Sequence, residues 1–196
     1  MKGEIAYFKL YSFNSNASRL LFESSVTALA KGTRGIVLDV RNNPGGFLDV
    51  AVQLAGFFFP RGTLIVSEEG VNRPAEKFLS MGSGPLSEIP IVVLVNGGSA
   101  SASEILAGAL RDNRKAKLIG EQSFGKGTVQ EIVDLSDGSS LKLTIAHWVL
   151  PSGEVLEGAG LKPDIEVKLT DEDAEAERDP QLEKALEVLR AEIAAR

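Results

Sequence analysis

Two short apolar runs, Gly35-Ile36-Val37-Leu38-Asp39-Val40 and Ile91-Val92-Val93-Leu94-Val95, constrain the fold of this chain more than any other feature. Both read as strands, and the first is a continuous apolar run of the sort expected for a strand buried on both faces. Each also ends in a glycine-rich turn that leads into a helical pattern. Arg41-Asn42-Asn43-Pro44-Gly45-Gly46 precedes a helix predicted over 47–59, and Asn96-Gly97-Gly98-Ser99-Ala100-Ser101 precedes Ile105-Leu106-Ala107-Gly108-Ala109-Leu110. Strand, tight turn and helix repeated in this way predict an α/β fold with a mostly parallel sheet.

The remaining segments extend that pattern. Ile5-Ala6-Tyr7-Phe8-Lys9-Leu10 reads as a first strand, residues 17–31 as a helix stopped by Gly32, Leu64-Ile65-Val66 as a short strand and Lys117-Leu118-Ile119-Gly120 as another. Residues 68–90, rich in Gly, Ser, Pro and charge, read as a surface excursion near whatever the protein binds. Farther on, strand-like segments at 128–133 and 140–149 flank Asp137-Gly138, a hairpin turn signal. A last short strand follows at Ile165-Glu166-Val167. From Thr170 the chain turns acidic, and Asp179-Pro180 opens an amphipathic helix through Leu182, Ala185, Leu186 and Leu189. Residues 1–169 are thus expected to form the core and 170–196 an acidic helical tail used for packing or interaction.

Composition excludes several functions. The net charge of −6 and the lack of a basic stripe argue against nucleic-acid partners. With no cysteine and a single histidine, His147, the chain offers no disulfide, no thiolate nucleophile and no Cys/His metal-ligand set, so no metal or other cofactor is expected. The longest apolar runs fall short of the roughly 20 residues that span a bilayer. Met1-Lys2-Gly3-Glu4 runs directly into a strand pattern, with no leader-like segment read there.

The turn after the second apolar run carries the candidate chemistry. A serine at such a strand-to-helix junction has an exposed hydroxyl and neighbouring backbone N–H groups able to stabilise an oxyanion. Ser101 followed by Glu104 is also a capping box, which by itself would explain a serine at that position. A hydrolytic serine needs a base. His147 is the single histidine, and it lies mid-strand, where a packed or solvent-facing role is commoner. A lysine can serve if burial and hydrogen bonding bring its amine down from about 10.4. Lys126 stands out because Phe124-Gly125-Lys126-Gly127 sets it between glycines in a loop whose backbone can approach another element closely. Gly120 to Lys126 also matches the start of a phosphate-binding loop, but Gly127 replaces the required Ser or Thr and a strand follows instead of a helix.

Three stretches, 39–46, 95–104 and 120–130, together resemble the carboxyl-terminal processing proteases, or tail-specific proteases, and the segments at 144–153 and 160–164 resemble that family's closing region. The likeness runs in order over roughly residues 3–168. It implies a crotonase-like or Clp-protease-like α/β core with a mostly parallel sheet, a C-terminal β-hairpin and a terminal helix. It also implies a serine endopeptidase with a Ser/Lys dyad, acting on extended or unfolded polypeptides near their C-termini. Carried over residue by residue, Ser101 is the nucleophile, Lys126 the base and Gln130 the residue that orients the lysine amine. The oxyanion hole falls on the Ala102 N–H with an N–H from Gly46 or Gly45. Ser99 and Ser103 are rival hydroxyls with supporting roles. The resemblance further implies a PDZ domain and an export signal ahead of such a core, an extracytoplasmic location, and compatibility with a homo-oligomer. Two other readings stand beside it: a crotonase-like acyl-CoA enzyme, which would use the same turn N–H groups but leave Lys126 and Gln130 idle, and a catalytically idle peptide-binding module.

Overall fold

The computed structural model describes residues 4–196, the side chain of Ala174 excepted; residues 1–3, where the leaderless start was read, lie outside it. Five strands, β1 (Ile5–Lys9), β2 (Gly35–Asp39), β5 (Ile91–Val95), β6 (Lys117–Gly120) and β9 (Ile165–Glu166), form one sheet in the order β1-β2-β5-β6-β9. Every pairing in it is parallel. The apolar runs divide between its two faces by the period of a strand. Ala6, Ile36, Leu38, Val93, Val95 and Leu118 pack beneath helices α1 (Ala17–Ala30), α2 (Leu48–Phe58) and α3 (Ala102–Arg114). Ile5, Val37, Val92, Leu94 and Ile119 pack on the other side against Ala185, Leu186, Leu189 and Ile193 of α5 (Pro180–Ala194). Asp179 caps α5 by accepting the Leu182 N–H, and Pro180 opens its first turn, as the sequence predicts. A short helix, α4 (Asp171–Glu175), leads into it.

The second layer differs from expectation. The predicted strand at 64–66 extends as β3 (Leu64–Gly70) and pairs with β4 (Glu76–Leu79), inside the stretch read as a surface excursion. β3 is not part of the parallel sheet. It joins the hairpin of β7 (Thr128–Asp134) and β8 (Ser140–Val149) in an antiparallel sheet ordered β4-β3-β8-β7. Ser67, Glu68 and Glu69 have little strand preference of their own, and pairing with Val149, Trp148 and His147 of β8 holds them extended. Phe78 of β4 meets the Trp148 ring edge-on, with centroids 5.9 Å apart. Among the described residues, no helix is long and apolar enough to cross a membrane.

The layout brings three loops to one edge of the parallel sheet. They leave the carboxyl ends of β2, β5 and β6, the edge where open α/β sheets assemble their sites.

Candidate active site

Ser101 ends the β5–α3 turn with φ 56° and ψ −117°. A side chain adopts such a backbone at a cost of about 1–3 kcal/mol, which the surrounding contacts must sustain. Here they are numerous. Ser99 Oγ donates to the Val40 carbonyl (2.8 Å), Ser103 Oγ to the Asn43 carbonyl (2.9 Å) and the Ala100 N–H to the same Asn43 carbonyl (3.0 Å). The rival serines are therefore wholly buried and tied to the neighbouring loop, while Ser101 is half-buried and its hydroxyl donates to no carbonyl among the described residues. Because the Ser101 backbone is strained, Ser101→Gly is expected to exceed Ser101→Ala in stability by about 1 kcal/mol in urea denaturation: both lack the hydroxyl and only glycine adopts positive φ freely. Equal stability would remove the strain from the account.

The β2–α2 turn packs directly on this serine. A Cβ built on Gly45 would lie 2.9 Å from Ser101 Cβ and 3.0 Å from the Ala102 nitrogen, so only glycine fits between them. The Gly45 N–H is already engaged, donating to Asn43 Oδ1 at 2.9 Å. Neither the Gly46 N–H nor the Ala102 N–H meets an acceptor among the described residues. Phe13 holds Gly46 from the far side: its N–H donates to the Gly45 carbonyl, and its carbonyl accepts the Phe47 N–H, both at 2.9 Å. Of the two glycines the sequence nominates, Gly46 is thus the one with a donor to spare.

The lysine loop is joined to the turn through Glu104, a residue read from the sequence only as a cap. Glu104 is fully buried. Its Oε2 accepts the N–H of Ser101 (2.8 Å) and of Lys126 (3.0 Å); its Oε1 accepts the Ser123 hydroxyl (2.5 Å) and the Gly125 N–H (2.7 Å). The glycines flanking Lys126 do allow a close backbone approach. A Cβ on Gly125 would lie 2.7 Å from the Gly160 nitrogen, and one on Gly127 2.6 Å from the Leu156 carbonyl carbon. The burial expected for Lys126 is not found. None of these contacts involves the Lys126 side chain, which is exposed, and its amine hydrogen-bonds to neither Ser101 nor Gln130 among the described residues. Gln130 is exposed too, on β7 beside the register shift opposite Thr144. The turn residues are therefore brought together, and the amine and the glutamine are not. His147 sits on β8 opposite Glu69, with Nδ1 2.7 Å from Glu157 Oε2, and makes no hydrogen bond with Ser101.

A family model described as peptidase family S41 matches residues 4–167. The chain belongs to peptidase family S41. This S41 member is 40% identical over 167 residues to proteins named "Probable CtpA-like serine protease" in Staphylococcus epidermidis and Staphylococcus aureus, covering 85% of this chain and 34% of each relative. It spans about a third of the length of the curated relatives it matches. It superposes on the photosystem II D1 C-terminal processing protease with a TM-score of 0.78 and 38% identity, over 84% of this chain and 42% of that one. Tricorn protease, at a TM-score of 0.63 and 18% identity over 98% of this chain and 18% of its own, shares the fold. The resemblance drawn from the sequence motifs is thereby upheld, as is the α/β core with its parallel sheet.

Proposed function

We propose that this S41 member is a serine endopeptidase that cleaves extended or unfolded polypeptides near their C-termini through an acyl-enzyme. The observation that carries the reading is Ser101, half-buried at positive φ and packed against the Gly45-Gly46 turn, with the Ala102 and Gly46 N–H groups meeting no acceptor among the described residues. The deprotonated Lys126 amine takes the Ser101 hydroxyl proton as Oγ bonds to the peptide carbonyl carbon, and the Ala102 and Gly46 N–H groups hold the resulting oxyanion. The carbon–nitrogen bond then breaks, and the lysine ammonium gives its proton to the departing amine. Water repeats the cycle: Lys126 accepts its proton, the hydroxide oxygen bonds to the acyl carbon, and Ser101 leaves with the proton returned. Gln130 orients the amine in this scheme. Both the amine and the glutamine must swing inward from the exposed positions they occupy here, Lys126 on its loop and Gln130 on β7. Extracytoplasmic placement and an associated PDZ domain rest on the family resemblance.

A fluorophosphonate probe followed by peptide mapping tests the assignment. Label is expected on Ser101, with labelling and polypeptide hydrolysis both lost in Ser101→Ala. Label elsewhere, or hydrolysis unchanged in that variant, overturns it, and binding of a CoA thioester in place of hydrolysis would favour the crotonase-like alternative.

A further inference from the structure

Arg41 begins the turn that carries Gly45 and Gly46, and it is nine-tenths buried, an uncommon position for a guanidinium. All five of its donors are used. Nε reaches Asp39 Oδ1 (3.0 Å); Nη2 reaches Asp39 Oδ2 (2.7 Å) and Asp179 Oδ2 (2.8 Å); Nη1 reaches Asp179 Oδ1 (2.9 Å) and Gln181 Oε1 (2.8 Å). Asp39, wholly buried at the end of β2, also accepts the Arg41 backbone N–H (3.0 Å) and the Tyr7 hydroxyl (2.6 Å). Such a fork clamps a direction as well as a charge. The Arg41 side chain and main chain are therefore fixed together, immediately before Asn42, which takes φ 57°.

Two of the three partners of that guanidinium belong to the start of α5, beyond the residues the family model matches. Asp179 is the α5 cap, and Gln181 lies in its first turn. Gln181 also reaches the other loop: its Nε2 donates to the Val167 carbonyl (2.8 Å) and to Glu121 Oε1 (3.3 Å). Glu121 is the root of the lysine loop, and its Oε1 accepts the Leu169 N–H as well (3.1 Å). Burial is the largest influence on the Asp179 carboxylate and works against it, yet the Arg41 hydrogen bonds, the Leu182 N–H and the charges of Arg41 and Lys9 together outweigh it and hold Asp179 below the usual carboxylate range.

We propose that the first turn of α5 is a clamp on both site loops, with Asp179 and Gln181 as positioning residues: through Arg41 they hold the turn that presents the Gly46 N–H, and through Glu121 the loop that presents Lys126. The mechanical part stands on the contacts above; the catalytic part rests on the serine-peptidase reading. A misplacement of about 1 Å at a reacting group costs up to about 100-fold in rate. Loosening the clamp therefore slows chemistry while leaving the sheet intact.

The test uses the full chain with Asp179→Ala, Gln181→Ala and Asp179→Glu, and with Leu189→Ala as a comparison that weakens α5 packing without touching Arg41. Amide hydrogen exchange at 41–47 and 121–127 is expected to quicken at least about 10-fold in the first two variants. Protection in β2 and β5 should stay as in the wild type. At a temperature where every variant is folded, kcat for an unfolded polypeptide, or the rate of fluorophosphonate acylation, is expected to fall about 10- to 100-fold with KM little changed. Asp179→Glu should recover part of that loss, and folded Leu189→Ala should keep wild-type kcat. Unchanged exchange in both loops overturns the clamp, as does an active wild type whose kcat survives Asp179→Ala. A wild type that neither hydrolyses polypeptide nor labels at Ser101 overturns the peptidase reading alone, since the exchange result still decides the clamp.

Discussion

Glu104→Ala is expected to destabilise the chain by about 3–5 kcal/mol, the cost of removing one side of a buried charge-assisted cluster. The carboxylate accepts four hydrogen bonds from donors in the Ser101 turn and the lysine loop. Truncation strands the Ser123 hydroxyl in the interior, and leaves the N–H groups of Ser101, Gly125 and Lys126 without their acceptor in half-buried surroundings. Glu104→Gln keeps the volume but not the chemistry. Each carboxylate oxygen receives two donors, so whichever way the amide lies, its NH2 faces at least one N–H that cannot turn away. Glutamine is therefore expected to cost about 1–3 kcal/mol, between alanine and the wild type. Urea denaturation of the three proteins measures the series, and an alanine variant within about 0.5 kcal/mol of wild type would show that the cluster contributes little.

Gly46→Ala is expected to lower kcat by about 100- to 1,000-fold, the loss typical of removing one oxyanion donor. Gly46 has φ 145°, and a Cβ there would lie 2.8 Å from the Phe13 carbonyl carbon and closer still to its oxygen. That carbonyl is itself held by the Phe47 N–H, so the turn must yield and take the Gly46 N–H with it. Gly62→Ala supplies the comparison. Gly62 also has positive φ, at 89°, but its Cβ would meet nothing within 4 Å. It should lose about 1 kcal/mol of stability and keep its activity. Steady-state kinetics on an unfolded polypeptide separate the two, and equal activity in Gly46→Ala and wild type would remove Gly46 from the oxyanion hole.

How much of this could be read in advance depended on the range of the interactions. The parallel sheet was legible because Ile36 to Leu38 and Ile91 to Val95 are apolar without alternation, a pattern that needs cover on both faces. The start of α5 was legible from Asp179-Pro180 because capping is local. β4 was not, since Glu76-Lys77-Phe78-Leu79 is short and polar and owes its extension to β3. Ser101 could be picked out by its turn. Glu104 could be seen as a cap, but its bonds to Ser123, Gly125 and Lys126 depend on how β6 lies beside β5, which no local spacing encodes. Likewise Arg41 read as one polar residue in a turn, because its partners Asp179 and Gln181 stand at the opposite end of the chain. The exposed side chain of Lys126 escaped prediction for a related reason: flanking glycines report that a backbone comes close, and say nothing of what covers the side chain between them.

Glu104 grips the Lys126 loop by peptide N–H groups and a serine hydroxyl, and takes nothing from the lysine amine. Mount and tool are in that sense separate parts. Position 126 itself is held by its peptide N–H, a group that every residue except proline possesses, whatever side chain stands there. A substitution at position 126 can therefore change the side chain there without rebuilding the wall of the site, whereas a change at Glu104 would require the wall and the Ser101 turn to alter together.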